Sequence, residues 1–199
     1  MTSLRTFRTP AATLLAAGVV AGAVAASDAA TSSPFAAPKK LGAYVRIADA
    51  KLSKSGPGLK QAQRQAKWDR KTAATASAAY GGAAAVTEYY SNDGFTDFAL
   101  LVAVKGPSPK LFVPYSDPVV LGVVKPFSEV RTYGDVQCQV QNDATVPPKK
   151  PAPDSVHVVA CQRSGPHLTV QMRNVSGDHL GNHPEVVAQM IDQAYEALG

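Results

Sequence analysis

The segment Val136-Gln137-Cys138-Gln139-Val140-Gln141 alternates strictly, with Val136, Cys138 and Val140 on one face and three glutamines on the other. A period of two is that of a half-buried strand. Two more extended runs follow, Val156 to Arg163 and Leu168 to Arg173, joined by Ser164-Gly165-Pro166-His167. Together they predict a three-stranded antiparallel meander. The connection from Asn142 to Ser155 is too long and proline-rich for a tight hairpin and is expected on the surface. Cys138 and Cys161, the two cysteines of the chain, fall in the first two of these strands. An antiparallel pairing with Gln141 opposite Val158 sets them directly across from one another. Such pairs have Cα atoms about 4.5 Å apart, within disulfide reach. A structural disulfide Cys138–Cys161 is therefore expected, and the lack of a Cys-x-x-Cys motif argues against a redox-active pair.

Upstream, the pattern is helical before it is extended. Ser55-Gly56-Pro57 opens and Gly81-Gly82 closes a helix predicted from about Pro57 to Tyr80. Its alanines Ala62, Ala66, Ala73 and Ala76, with Tyr80, form one side suited to close packing on a sheet. A hairpin is expected from Ala83 to Val104 around Asp93-Gly94, and a further extended run from Val119 to Val124. The proline-punctuated stretch Gly106 to Pro118 is expected to wrap a surface or edge. At the C-terminus, Asn182-His183-Pro184-Glu185 supplies an N-cap, an early proline and a first-turn carboxylate. The stripe Val187, Met190, Ile191, Ala194, Tyr195 and Leu198 then marks a second helix that covers one sheet face. The expected fold is α+β: one domain over 41–199, an antiparallel meander sheet covered by two helices and stapled by one disulfide.

The N-terminus carries an address. Arg5 and Arg8 precede the small and apolar run Ala11 to Ala26, which ends in Ala23-Val24-Ala25-Ala26, the order of a secretory signal peptide over 1–26. The run is shorter than the roughly 20 residues of a bilayer-spanning helix. Export and release are expected, with anchoring to the cytoplasmic membrane by an uncleaved signal as the alternative. The split arginines exclude a twin-arginine signal, and no cysteine follows the run to carry a lipid. Residues 27–40 (SDAATSSPFAAPKK) read as a disordered spacer.

Charge is unevenly spread. Residues 39–71 hold ten basic residues against Asp49 and Asp69, whereas residues 72–199 hold eight basic and twelve acidic ones, within a whole-chain net charge of +5. On the predicted helix Lys60, Arg64, Lys67 and Lys71 recur at four-, three- and four-residue spacing, which places them on one stripe. Two readings stand: a solvated face that keeps an alanine-rich helix in water, or a docking surface for an anionic partner. Nucleic acid does not suit an exported protein; an anionic cell-wall polymer, an anionic lipid surface or an acidic protein does. Trp68, off the alanine stripe, reads as a packed anchor rather than a ligand platform.

No catalytic or cofactor motif stands out. His179 and His183 have the i, i+4 spacing of a metal pair, but Pro184 starts the helix after them, so they sit on a loop without rigid spacing. There is no Gly-x-Ser-x-Gly elbow and no glycine-rich phosphate loop. No catalytic residue, metal or cofactor is assigned. The order of helix, antiparallel strands, a late cysteine-bearing strand pair, the run Leu168 to Arg173 and the closing HPEVVAQMIDQAYEAL resembles the PsbP/Mog1-like α+β sandwiches of exported actinobacterial lipoproteins and sensor regions. The resemblance covers residues 80–199, implies a binding role and carries over no functional residue. The expectation is a bacterial, secreted, non-enzymatic binding or interaction module of the extracytoplasmic space. The alternatives are a membrane-anchored accessory domain or a small secreted hydrolase.

Overall fold

The computed structural model describes residues 35–50, 56–152 and 155–199. The signal segment 1–26 and the first part of the spacer lie outside them. The described chain runs β1 (Lys40–Leu41), β2 (Tyr44–Arg46), α1 (Gly56–Ala79), β3 (Ala85–Ser91), β4 (Phe98–Val104), β5 (Ser128–Tyr133), β6 (Val136–Asn142), β7 (Val156–Ser164), β8 (Thr169–Ser176), α2 (Asp178–Gly181) and α3 (Pro184–Leu198). All eight strands form one antiparallel sheet in the order β1-β2-β3-β4-β8-β7-β6-β5. After β4 the chain crosses to the far edge and meanders back, so that β8 closes the sheet against β4. The fold is α+β, as expected, but the meander is half of a larger sheet.

Strand β4 shows why its sequence is almost continuously apolar. Ala99, Leu101 and Ala103 join the main core with α3, whereas Leu100, Val102 and Val104 pack with Ala76 and Tyr80 at the end of α1. A strand covered on both faces has no need of alternation. On α3 the expected stripe is buried at Val187, Met190, Ile191, Ala194 and Leu198, with Tyr195 at its margin. The two helices thus sit on opposite faces, and α1 reaches only the β3–β4 side of its face.

Several expectations need correction. Val119 to Val124 is not a strand: the Asp117 carboxylate accepts hydrogen bonds from the Val119 and Val120 amides and winds the segment into a turn. The missed strands β1, β2 and β5 lie at the sheet's two ends: β1 and β2, two and three residues long, are too short to show a period, and the half-buried β5 (SEVRTY) is mostly polar and shows no hydrophobic run. The disordered spacer is corrected over residues 35–40. Phe35 and Ala37 are buried, the Tyr90 hydroxyl donates to the Pro38 carbonyl, and the fold begins before residue 41. Asn182 is not the cap of α3; His183 occupies that position, and Asn182 Oδ1 lies 3.1 Å from His157 Nδ1.

The cysteine pairing is as expected. Cys138 and Cys161 are directly opposite, disulfide-bonded and fully buried, with Cα atoms 4.0 Å apart. Further along, Gln141 faces His157 rather than Val158, because the register slips between Gln139 and Val140. The extra residue is a bulge. It lets Val158 and Cys161, three apart, both face the core opposite Val140 and Cys138, which are two apart.

Candidate functional site

Beyond α1, the sheet face left uncovered is lined with amides. Gln137 and Gln139 of β6, Gln162 of β7, and Gln171 and Arg173 of β8 share it, following the registers Gln137↔Gln162, Gln162↔Gln171 and Ala160↔Arg173. The chain leaving β4 crosses this face and is held by it. Gln162 Nε2 donates to the Pro109 carbonyl at 2.7 Å, and the Leu111 amide donates to Gln137 Oε1 at 3.3 Å. Gln171 Nε2 in turn donates to Gln162 Oε1 at 2.7 Å.

Between this crossing, the sheet and the C-terminal half of α1 lies an open cleft of 660 Å³. Its walls include Thr72, Ala76 and Tyr80 of α1, Leu111 of the crossing, and Leu100 and Val102 of β4. That volume is ordinary for a small-molecule site, about 300–1,000 Å³. Among the described lining residues Arg173 carries the one formal charge, and none is a carboxylate. Chemically, it can offer amide hydrogen bonds, an aliphatic floor and one guanidinium able to grip a carboxylate or phosphate. The sequence showed these glutamines, but as the solvent face of a strand; only the crossing segment turns that face into a cleft wall.

The outer face of α1 is the second candidate. Lys60, Arg64, Lys67 and Lys71 are all exposed, and Arg70 beside them is exposed too. Trp68 is 55% exposed at the edge of the same face, so it is not a packed anchor. Asp69, the single acid of α1, points the other way and is buried. The structure therefore groups five cations and one indole on a surface free of carboxylates of its own helix.

Asp69 itself was not singled out by sequence pattern. It interrupts the alanine face, where Gln65 Nε2 donates to its Oδ1 at 2.9 Å and Thr87 Oγ1 donates to its backbone carbonyl at 2.6 Å. Burial pushes its carboxyl above the ordinary value, with the Gln65 bond opposing. Glu88 on β3 is also raised by burial, against the pull of Arg46, whose Nη1 lies 3.9 Å away. Both acids border a shallow depression between α1 and β3.

Three of the four histidines make local contacts. His179 lies in α2 and His183 caps α3, their rings 5.3 Å apart, and His183 Nδ1 lies 2.8 Å from Glu185 Oε1. His157 Nε2 lies 3.0 Å from Asp143 Oδ1. Among the described residues no group of three or more histidine, cysteine or acidic side chains is placed to hold a metal ion.

Comparison with protein families, with curated proteins and with solved structures returns no match to this chain. What the structure defines is a class: a disulfide-bonded α+β domain with one sheet face closed by a helix and the other half open. Among the described residues no helix is long and apolar enough to cross a membrane. The disulfide is compatible with an extracellular location.

Proposed function

We propose that this chain is a secreted, non-enzymatic binding module of the extracytoplasmic space that docks on an anionic surface through the outer face of α1. The observation that carries the reading is the joint exposure of Lys60, Arg64, Lys67 and Lys71 with Trp68, while the helix's one acid is buried behind them. A cationic face bordered by an indole suits a phosphate-bearing surface, since the ring tolerates a boundary that is half apolar and half wet. The N-terminal signal pattern and the disulfide support a place outside the cytoplasm. The antiparallel sheet and closing helix support kinship with PsbP/Mog1-like exported domains, which belongs to the same proposal.

The test is cosedimentation with vesicles containing phosphatidylglycerol and with an anionic wall polymer, at low and high salt. Exposed charges are screened over about 8 Å at physiological ionic strength, so binding falls steeply as salt rises. Replacing all four cations with Gln abolishes binding to the wall polymer, weakens binding to the vesicles and leaves the melting temperature nearly unchanged, because exposed substitutions cost about 0.5 kcal/mol or less each. Equal binding by wild type and the quadruple variant returns α1 to a solvated helix face.

A further inference from the structure

The crossing from β4 to β5 carries a feature that the α1 reading does not use. Its turn exposes Val119 to 85% and Val120 to 82%, and the segment leading into it exposes Phe112 and Tyr115 to 82% and 87%. The turn itself is held by hydrogen bonds. Asp117 Oδ1 accepts from the Val119 amide at 2.9 Å and from the Val120 amide at 3.4 Å. The Leu121 amide donates to the Asp117 carbonyl, Gly122 to Val119, and Val123 to Pro118, at 3.0, 3.2 and 2.9 Å. Val123 is buried and roots the turn, and the Val124 amide donates to the Thr145 carbonyl at 2.8 Å.

Two consequences follow. Turns favour Gly, Asn, Asp and Ser, so an ordered turn whose outermost side chains are two valines forgoes both turn propensity and burial. More specifically, five successive amides from Val119 to Val123 are satisfied within the turn. A segment leaves water for hydrocarbon at tolerable cost only if its polar backbone groups are paired internally, as those amides are.

The charge around the turn selects the medium. The bond from Val124 to Thr145 joins it to the loop after β6, where Val146, Lys149 and Lys150 are exposed. Lys110 and Lys125 are exposed on the crossing itself. The described acids of the two loops are engaged, Asp117 in the turn and Asp143 with His157. An apolar tip followed by Lys125 and tied to the loop that bears Lys149 and Lys150 fits a bilayer rich in anionic lipid, which takes the valines into its acyl boundary and the ammonium groups among its headgroups. We propose that the Val119-Val120 turn is a membrane-inserting tip, specific for anionic bilayers and distinct from the α1 face.

The test is penetration of a phosphatidylglycerol monolayer, read as a rise in surface pressure, together with affinity for phosphatidylglycerol vesicles. Wild type penetrates the anionic monolayer and penetrates a phosphatidylcholine one far less. Val119→Asp with Val120→Asp removes penetration and weakens vesicle binding about a hundredfold, from about tenfold for each valine withdrawn from the acyl region. Its melting temperature stays at the wild-type value, because both sites are exposed. Lys125→Gln with Lys149→Gln and Lys150→Gln narrows the difference in penetration between the anionic and the phosphatidylcholine monolayer. A wild type that leaves the pressure unchanged overturns the proposal, as does a double variant that inserts equally well. Self-association abolished by the double variant also overturns it, by naming a second copy as the occupant. Binding to the wall polymer that persists without monolayer penetration sinks the tip while leaving the α1 reading intact.

Discussion

Gly177 takes φ +94° and ψ 153°, a conformation that residues with a Cβ scarcely visit, and a Cβ there would overlap the Thr96 carbonyl and Asp97. The crowding has a purpose, since Asp97 Oδ1 accepts from the His179 and Leu180 amides and so caps α2 from β4's approach, 82 and 83 residues away in sequence. Gly177→Ala adds backbone strain to a steric overlap with main chain. It is expected to cost at least about 3 kcal/mol, read from the chemical-denaturation midpoint, and a loss below about 1 kcal/mol contradicts this account. Asp69 makes a different residue-level prediction. Burial holds its folded carboxyl above the ordinary 3.8, so the folded state binds this proton more tightly than the unfolded chain. Its contribution is therefore most favourable below the unfolded value and is lost as pH rises through the folded one. Asp69→Asn, which keeps an acceptor for Gln65, is expected to raise the melting temperature at pH 7, with the gain shrinking toward pH 4. A variant less stable than wild type at pH 7 overturns that assignment.

Among the elements, the β6–β7 pair and the two long helices were the most readable, each for a local reason. The alternation around Cys138 survives in the structure because Val136, Cys138 and Val140 all reach the core. The bulge at the far end of the pair was not readable, since it answers to the need for Val158 and Cys161 to share one face. The disulfide closes a segment with a sequence separation of 23 and, in the loop-closure account, contributes about 3 kcal/mol. Intact mass is expected to rise by two hydrogens on reduction, thiol reagents to find nothing before it, and the reduced protein to unfold at lower denaturant. Two alkylatable thiols in the unreduced protein would contradict the bridge. Helix α1 shows how composition can mislead within a correct element: its alanine face packs as expected, yet Asp69 lies buried in it and Trp68 stands in water. Side chains one position apart on a helix differ by about 100°. Trp68 and Asp69 therefore part ways, and it is Asp69 that faces inward, with its carboxylate held by Gln65 and its carbonyl by Thr87.

At the scale of the whole molecule, the two faces of the sheet are covered unequally, and the candidate sites follow from that. Helix α3 seals one face, clasped by Arg163, whose Nη1 lies 3.0 Å from both Asp192 Oδ1 and Glu196 Oε1 while its guanidinium stacks 4.1 Å from the Tyr195 ring centroid. Helix α1 reaches only part of the other, leaving the glutamine-lined cleft, the cationic outer face and the valine-tipped crossing around it. What the sequence by itself determined was whatever repeats at short range. The cysteine strand, α1, α3 and the cation stripe show periods of two or of three and four residues, which depend only on backbone geometry, and the β3–β4 hairpin shows through its Asp93-Gly94 turn. Tertiary structure alone decided the insertion of β8 between β4 and β7, the end strands β1, β2 and β5, the conversion of a strand's glutamines into a cleft wall, and the winding of Val119-Val120 into an exposed turn. Those outcomes depend on which distant segments meet, and contacts between residues dozens of positions apart leave no periodic trace in the chain that makes them.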